Sequence, residues 1–405
     1  MSRVLVLSAH ETQLDRRIVA EVNTLAESGR EVTLVSVPTE IPTACLDPRV
    51  SVIAPPVAHP VAGQRAGLKA LLRRVWPPLY DVVRSAWYGL GRGPVPALSD
   101  FFVRTVPAGP FDVIHGHDLP TLPAAIALRQ RWGRATVIYD SHELFADQFE
   151  DRRVASYWSG IEARHINEAD GVITVNDSIA RELSERYGIR RPEVIYNSYG
   201  LAGQRGAITE SAFCAHFGTQ PGGFKVLFQG CLDVGRNLEN LVLAFGALQD
   251  QARLFLLGGG PLEPTLKRLR DRHGLSNVFF GPRVPQKDLI DFTVHADLGV
   301  IPYLGAGNLN MRYCTPNKLF EYIEAQVPIC ASDLPELGKI VRNSGIGGVF
   351  PMETPEQIAA ALADCRRRRA TGEFFAPEAW QAAREQYSWT RQAQRLLSFY
   401  ERLGV

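Results

Sequence analysis

Between Thr315 and Leu337 the chain reads TPNKLFEYIEAQVPICASDLPEL, and its charged residues do not fit an ordinary helix start. Thr315 reads as an N-cap with Pro316 at the first helical position. The apolar spacing of Leu319, Phe320 and Ile323 carries the helix towards Gln326, and Pro328 forces the exit. Lys318 falls in the first turn, where the helix dipole disfavours a cation and a capping box would place Glu or Gln. An ammonium beside the free amides of residues 316 to 319 suits an anion such as phosphate. Asn317, Lys318 and Glu321 share nearly one face. A carboxylate only accepts hydrogen bonds, so beside a phosphate Glu321 needs a donor such as a ribose diol. Phosphate followed by a diol describes a nucleotide. A solvated lysine paired with a surface glutamate fits the same residues, and that alternative stays open.

Other residues suited to chemistry lie where strands give way to helices. In GCLDVGRN, Gly230 to Asn237, Arg236 is placed to clamp a diphosphate in bidentate fashion. Gly258, Gly259, Gly260 and Pro261 form a turn that lets backbone approach a ligand, though a tight turn alone explains them. The segment does not read as an NAD site, because no acidic residue ends a second strand about twenty positions on. His142 follows the strand TVIYD and clusters with Asp140, Ser141 and Glu143, which suits a cleft edge; a cap on the next helix is the plainer alternative. His115, His117 and Asp118 are expected to line an acceptor side, with Asp15, Arg16 and Arg17 touching acceptor or merely starting a charged helix. No metal is required to explain these residues, and no Asp-x-Asp occurs in the chain.

These residues need a scaffold, and the apolar pattern supplies one. Short apolar runs, Val4 to Leu7, Val32 to Val35, Val113 to His115, Val137 to Tyr139 and Val172 to Val175, alternate with helical patterns such as Ile18 to Ser28, stopped by Gly29. The pattern restarts at Val226 to Phe228 and continues through Leu254 to Leu257, Val278 to Phe280, Leu298 to Ile301 and Ile329 to Ala331. Two doubly wound α/β halves are therefore expected, joined through the Gly- and Ser-rich stretch Asn197 to Gly223. Ligands of open α/β sheets sit beyond the carboxyl ends of the strands. That places residues 8–17, 115–121 and 140–145 opposite 229–237, 258–261 and 303–321, across a cleft.

Composition narrows the classes. The 405 residues are 45% hydrophobic and 21% charged, enough for two or three domains, and the net charge of +1 gives no global attraction to nucleic acid. Six cysteines without CxxC or His/Cys ligand spacing read as free thiols of a reducing compartment, so the expected location is cytoplasmic. No run approaches the roughly 18 uncharged residues of a membrane span. Residues 61–106 differ from the rest: seven basic side chains from Arg65 to Arg104 against Asp81 and Asp100 leave +5, interleaved with Trp76, Tyr80, Trp87 and Tyr88. Such a segment fits peripheral docking on an anionic membrane face, and equally a pair of helices packed on the first domain.

Taken together, PNKLFEY with ASDLPE, YDSHELF, FDVIHGHDLPTLPAA, FQGCLDVGRNLENL and ADLGVIPY, in this order and spacing, resemble the retaining, nucleotide-sugar-dependent glycosyltransferases of family 4. The resemblance implies the GT-B fold, α/β, with two doubly wound Rossmann-like domains facing across a cleft: 1–200 on the acceptor side, 201–385 binding the nucleotide sugar, and 386–405 a helix crossing back. It implies a metal-independent hexosyl transfer with no cofactor beyond the donor, to a glycan or lipid-linked acceptor, in making bacterial envelope polysaccharide or glycolipid. By the same resemblance His142, Arg236 and Lys318 are catalytic; Gly230, Gly259, Arg283, Val284, Asn317, Leu319 and Glu321 bind donor, Arg283 and Val284 at the base; and Asp15, Arg16, His117 and Asp118 bind acceptor. The chain departs from the family at Cys231, where a second cation is usual, and at Tyr313, where a first glutamate precedes Glu321 by eight residues. Two other functions share these features: a GT-B epimerase or hydrolase of nucleotide sugars, and a non-catalytic sugar-nucleotide-binding or scaffold subunit.

Overall fold

The structure is a computed structural model that describes residues 2–10, 14–39, 41, 43–55, 85, 88–91, 93–198, 208–374 and 376–405. Its contacts divide the chain into two compact units, Met1–Ile195 with Ala393–Val405, and Tyr196–Gln392.

The first unit is wound on seven parallel strands in the order β3-β2-β1-β4-β5-β6-β7. These are β1 (Arg3–Ser8), β2 (Glu31–Ser36), β3 (Ser51–Ile53), β4 (Val113–His117), β5 (Thr136–Ser141), β6 (Gly171–Thr174) and β7 (Glu193–Val194). The second unit has six, β10-β9-β8-β11-β12-β13, all parallel. They are β8 (Lys225–Gln229), β9 (Arg253–Leu257), β10 (Val278–Gly281), β11 (Leu298–Ile301), β12 (Ile329–Ser332) and β13 (Gly347–Phe350). Central strands are apolar on both faces because helices cover both: Val4 to Leu7 and Val226 to Phe228 are wholly buried. In each sheet the winding reverses beside the first strand, between β1 and β4 and between β8 and β11. Loops diverge there, and ligand crevices form at such points.

Local chemistry sets the helix ends. The Asp15 carboxylate accepts from the Arg17 amide to start the helix Arg16–Glu27, and Gly29 beyond its end takes φ 87°. Residues 393–405 close the first unit. Tyr400 OH bonds His115 Nδ1 at 2.8 Å, Arg30 donates to the Val405 carbonyl, and a Cβ on Gly171 of β6 would collide with Phe399.

Three strands were not anticipated. β3 and β7 are short edges, and β13 opens on Gly347, whose missing Cβ admits the β12 carbonyl of Ile329. The stretch Asn197 to Gly223 is not wholly a connection: Thr209 caps the helix Glu210–His216, which buries Phe213 and Cys214. Of the basic segment, residues 61–84, 86, 87 and 92 lie outside the described residues. Its end folds as the helix Val95–Thr105, with Val95 and Phe102 buried and Arg104 bonded to Asp100 at 3.0 Å. Among the described residues no helix is long and apolar enough to cross a membrane.

Candidate active site

In the second unit the ends of β8 and β11 bring two cations onto one phenol. Arg236 Nη1 donates to Tyr303 OH at 2.9 Å, and Lys318 Nζ donates to the same oxygen. The ammonium also lies 4.6 Å from the Phe228 ring centroid and 4.7 Å from that of Tyr303, so aromatic faces replace part of its lost hydration. Burial, and then the charge of Arg236, bring the Lys318 pKa down to about 7, while burial lifts the Cys314 thiol to about 12. A buried ammonium beside a half-buried guanidinium, with so little carboxylate compensation, is poised to receive an anion. Gly230 has φ 117°, and a Cβ there would stand 3.5 Å from Lys318 Nζ, so only glycine leaves that side of the ammonium open.

The helix itself is Asn317–Ala325 with Pro316 at its N-cap position, which corrects the expected Thr315 cap. The cradle is also smaller than four amides. Pro316 carries no N–H, and the Leu319 amide is spent on the Pro316 carbonyl at 2.9 Å, so Leu319, whose side chain is buried, is withdrawn from the expected donor contacts. Asn317 Oδ1 accepts from Asn197 at 2.7 Å. Glu321 is buried, with one carboxylate oxygen committed to the Gln229 amide; Gln229 Oε1 in turn accepts from Thr293 Oγ1 at 2.9 Å. Near the departure at Tyr313, Asn308 caps the helix Leu309–Arg312.

The glycine turn divides into two roles. A Cβ at Gly258 would strike the Gly230 carbonyl and one at Gly260 the Leu232 carbonyl, so these two are glycine because two loops cross there. A Cβ at Gly259 would meet only side-chain ends, Glu263 Oε2 at 3.5 Å and Arg283 Nε at 3.7 Å. With Gly258, Gly260, Glu263, Lys267, Phe280, Gly281, Pro282 and Arg283, Gly259 lines a cavity of about 470 Å³, and Arg283 Nη2 donates to the Gly259 carbonyl at 3.2 Å. That volume and the Phe280 ring fit a small planar ligand. Val284 follows half-buried.

The first unit gathers imidazoles and carboxylates at the ends of β1, β4 and β5. His142 Nε2 lies 3.1 Å from His117 Nδ1 and 3.5 Å from Asp140 Oδ2, and its Nδ1 lies 3.5 Å from Asp118 Oδ2. Burial opposes charging this ring, yet the Asp118 and Asp140 carboxylates outweigh burial and raise its pKa to about 10. Both ring nitrogens therefore face protein. Asp118 has φ 62° and ψ 159°, backbone that is essentially glycine's, at a cost of about 1–3 kcal/mol. It is fixed by its amide bond to Asp140 O at 2.9 Å and by Thr121, whose amide and hydroxyl both donate to its carbonyl.

Below lies a layer closed to solvent. Arg17 Nε and Nη2 grip the two Asp140 oxygens at 2.9 and 3.1 Å, Nη1 holds the Ile195 carbonyl, and Glu21 approaches Nε at 3.0 Å. His115 and His117 stack at 4.5 Å and are fully buried, so they support His142 from beneath and do not line a surface as expected. Asp15 is engaged as the helix cap and Arg16 is buried, which favours the charged-helix-start alternative for both. Sequence reasoning offered Arg17 as an acceptor contact or a helix start, not as the buried partner of Asp140, and missed Glu21, Tyr303, Gln229 and His10. The four-residue spacing of Arg17 and Glu21, and the position of His10 and Tyr303 just past strand ends, were the available signals.

Residues 15–200 match the family model of the glycosyl transferase 4-like domain, and residues 223–367 that of the glycosyl transferases group 1. No curated protein matches the chain in sequence. Among solved structures, sucrose-phosphate synthase from Thermosynechococcus elongatus is similar at TM-score 0.70 and 16% identity, covering 100% of this chain and 99% of that one. HepE of Anabaena, in complex with UDP, reaches 0.66 at 14% identity over 99% and 100%. A TarM mutant of S. aureus, in a complex that includes UDP, reaches 0.66 at 10% identity over 98% and 99%. At such identities the likeness establishes the two-domain GT-B fold.

Proposed function

The chain belongs to the family 4-type glycosyltransferases of GT-B fold, and on that premise we propose that it moves a hexose from a nucleoside diphosphate to a hydroxyl acceptor with retention, in assembly of a bacterial envelope glycan. The observation that carries this is the convergence of Arg236 and Lys318 on Tyr303 beside the open flank of Gly230. As the glycosidic bond breaks, negative charge grows on the departing diphosphate. Two fixed cations stabilise that charge more in the transition state than in the ground state, each such donor contributing roughly 3 kcal/mol. The diphosphate then needs no metal ion. The cavity at Gly259 and Phe280 takes the base, Asn317 and Glu321 the ribose, and the first unit presents Asp118 and His142 on the acceptor side.

A donor panel read by thermal stabilisation tests this, because a ligand that binds only the native state raises stability by mass action. Uridine nucleotides lead the panel, since the HepE and TarM structures were solved with UDP. A nucleotide sugar that stabilises the wild type and fails with Glu321→Ala supports the donor site; stabilisation unchanged in that variant, with turnover unchanged in Lys318→Ala, refutes it. Turnover of labelled donor with and without acceptor separates transfer from hydrolysis or epimerisation. The basic segment 61–106 is proposed to dock the enzyme on an anionic, cytoplasmic membrane face. Liposome binding that falls with salt and with Arg73→Glu/Arg74→Glu is expected, and equal binding to neutral vesicles refutes it.

A further inference from the structure

We propose that His10, Asp118 and His142 form a binding site for one divalent transition-metal ion of the zinc class, with a coordination position left open for an oxygen ligand.

The three side chains come from separate loops, past β1, β4 and β5, and meet where the winding of the first sheet reverses. Asp118 Oδ2 lies 3.2 Å from His10 Nε2 and 3.5 Å from His142 Nδ1, and the ligand atoms of all three fall within 4.8 Å of one another. Around a tetrahedral ion held at about 2.0–2.2 Å, neighbouring ligands stand about 3.3–3.6 Å apart. The two distances from Asp118 are close to that, and long for direct hydrogen bonds. His10 Nε2 is closed to solvent and has no hydrogen-bond partner of good geometry, although it points at the carboxylate.

The partners of the remaining atoms are those of a metal site. His142 turns its other nitrogen to His117 Nδ1 at 3.1 Å, and the Asp118 Oδ1 atom accepts from the His142 amide at 3.3 Å, which fixes ring and carboxylate orientation. The strained backbone of Asp118 aims its carboxylate between the two imidazoles. Two imidazoles with one carboxylate select zinc, cobalt, nickel or iron(II) over magnesium or calcium. Three protein ligands leave a position for water or a substrate oxygen, and the side chains of His10, Asp118 and His142 retain 29%, 15% and 10% of their exposure, so the set lies near the surface although His10 Nε2 itself is covered. The deeper set of Glu21, His115, His117 and Asp140 is different. Arg17 already supplies its positive charge, at 3.0 Å from Glu21 and 2.9 Å from Asp140.

The inference concerns the first unit and stands apart from the donor reading, which nucleotide titration in chelator tests separately. Full-length protein stripped with chelator is titrated with Co²⁺. One equivalent should bind with visible d–d bands that Zn²⁺ displaces, and His10→Ala and Asp118→Asn should each weaken binding by tenfold or more. His165→Ala, a histidine paired with Glu168, serves as the control and should bind as the wild type does. Circular dichroism and nucleotide binding by the second unit verify folding. Should either variant misfold, the wild type alone decides: Zn²⁺ should protect His10 and His142 from diethyl pyrocarbonate, read by peptide mass. No bound equivalent, binding unchanged in folded His10→Ala and Asp118→Asn, or no protection by Zn²⁺ overturns the proposal and leaves an Asp118-bridged imidazole pair.

Discussion

The two units share one winding but load it with opposite chemistry. At the reversal of the first sheet stand Asp118, Asp140 and the imidazoles of His10 and His142, an environment that raises the His142 pKa. At the reversal of the second stand Arg236 and Lys318 on Tyr303, an environment that lowers the Lys318 pKa. In both, burial disfavours the charged form, and the neighbours decide the outcome: two carboxylates beside His142, a guanidinium beside Lys318. The same backbone thus makes one site that holds protons or cations and another that is deficient in negative charge. Function follows from the side chains grafted at the strand ends, not from the fold.

The largest expected effect tests the cation side of that contrast. Lys318→Ala should lower turnover by roughly a hundredfold or more, because the charge counts most as the leaving group develops. Glu321→Ala should act differently, weakening both donor and free nucleoside diphosphate by about tenfold with little change in saturated turnover, since it removes contacts to groups that do not react and strands the Gln229 amide. Steady-state kinetics and calorimetric nucleotide affinity distinguish them. If neither variant changes either quantity, the helix Asn317–Ala325 is not the donor site.

A smaller effect concerns pH. Lys318 titrates near 7 in the fold and near 10.5 when unfolded, so between these values the unfolded chain binds more protons and this residue makes stability rise with pH. An arriving diphosphate reverses the preference, holding Lys318 charged. Nucleotide affinity should therefore fall as pH rises above about 7, by at most tenfold per pH unit, with net proton uptake on binding. Calorimetry in buffers of different ionisation heat measures both. The same slope in Lys318→Met would assign the dependence to another group.

The alternation of apolar runs made both sheets legible, and the rule broken at Lys318 pointed to the cation site before any contact was known. What stayed hidden were pairings between distant positions. Arg236 meets Tyr303 across 67 residues, Glu321 meets Gln229 across 92, and Arg17 meets Asp140 across 123. Local pattern fixes which face a side chain is on, but not which strand end lies beside it. Glu321 read as an acceptor for a ribose diol or a surface lysine, with no sign of Gln229, for that reason, and His117 read as a surface residue. Edge strands such as β3, β7 and β13 were hidden differently, being too short or too glycine-rich to show a period.

The smallest effect reads backbone strain, where the units again differ. Each places a non-glycine residue at positive φ in the turn past a strand of its reversal, Asp118 at φ 62° and ψ 159°, Asn237 at φ 58° and ψ 34°. The second is ordinary left-handed backbone that asparagine tolerates, and Asn237 is held by donating to the Met352 carbonyl. The first is open almost only to glycine. In metal-free buffer Asp118→Gly should thus be more stable than Asp118→Ala by about 1 kcal/mol or more, although both lose the same carboxylate. At the other turn Asn237→Gly should differ from Asn237→Ala by less, because left-handed backbone is better tolerated by a side chain than the region Asp118 occupies. Chemical denaturation of the four variants gives both differences. Equal gaps at the two turns would mean that Asp118 carries no special strain, and that its carboxylate is aimed by the neighbouring imidazoles instead of by the backbone.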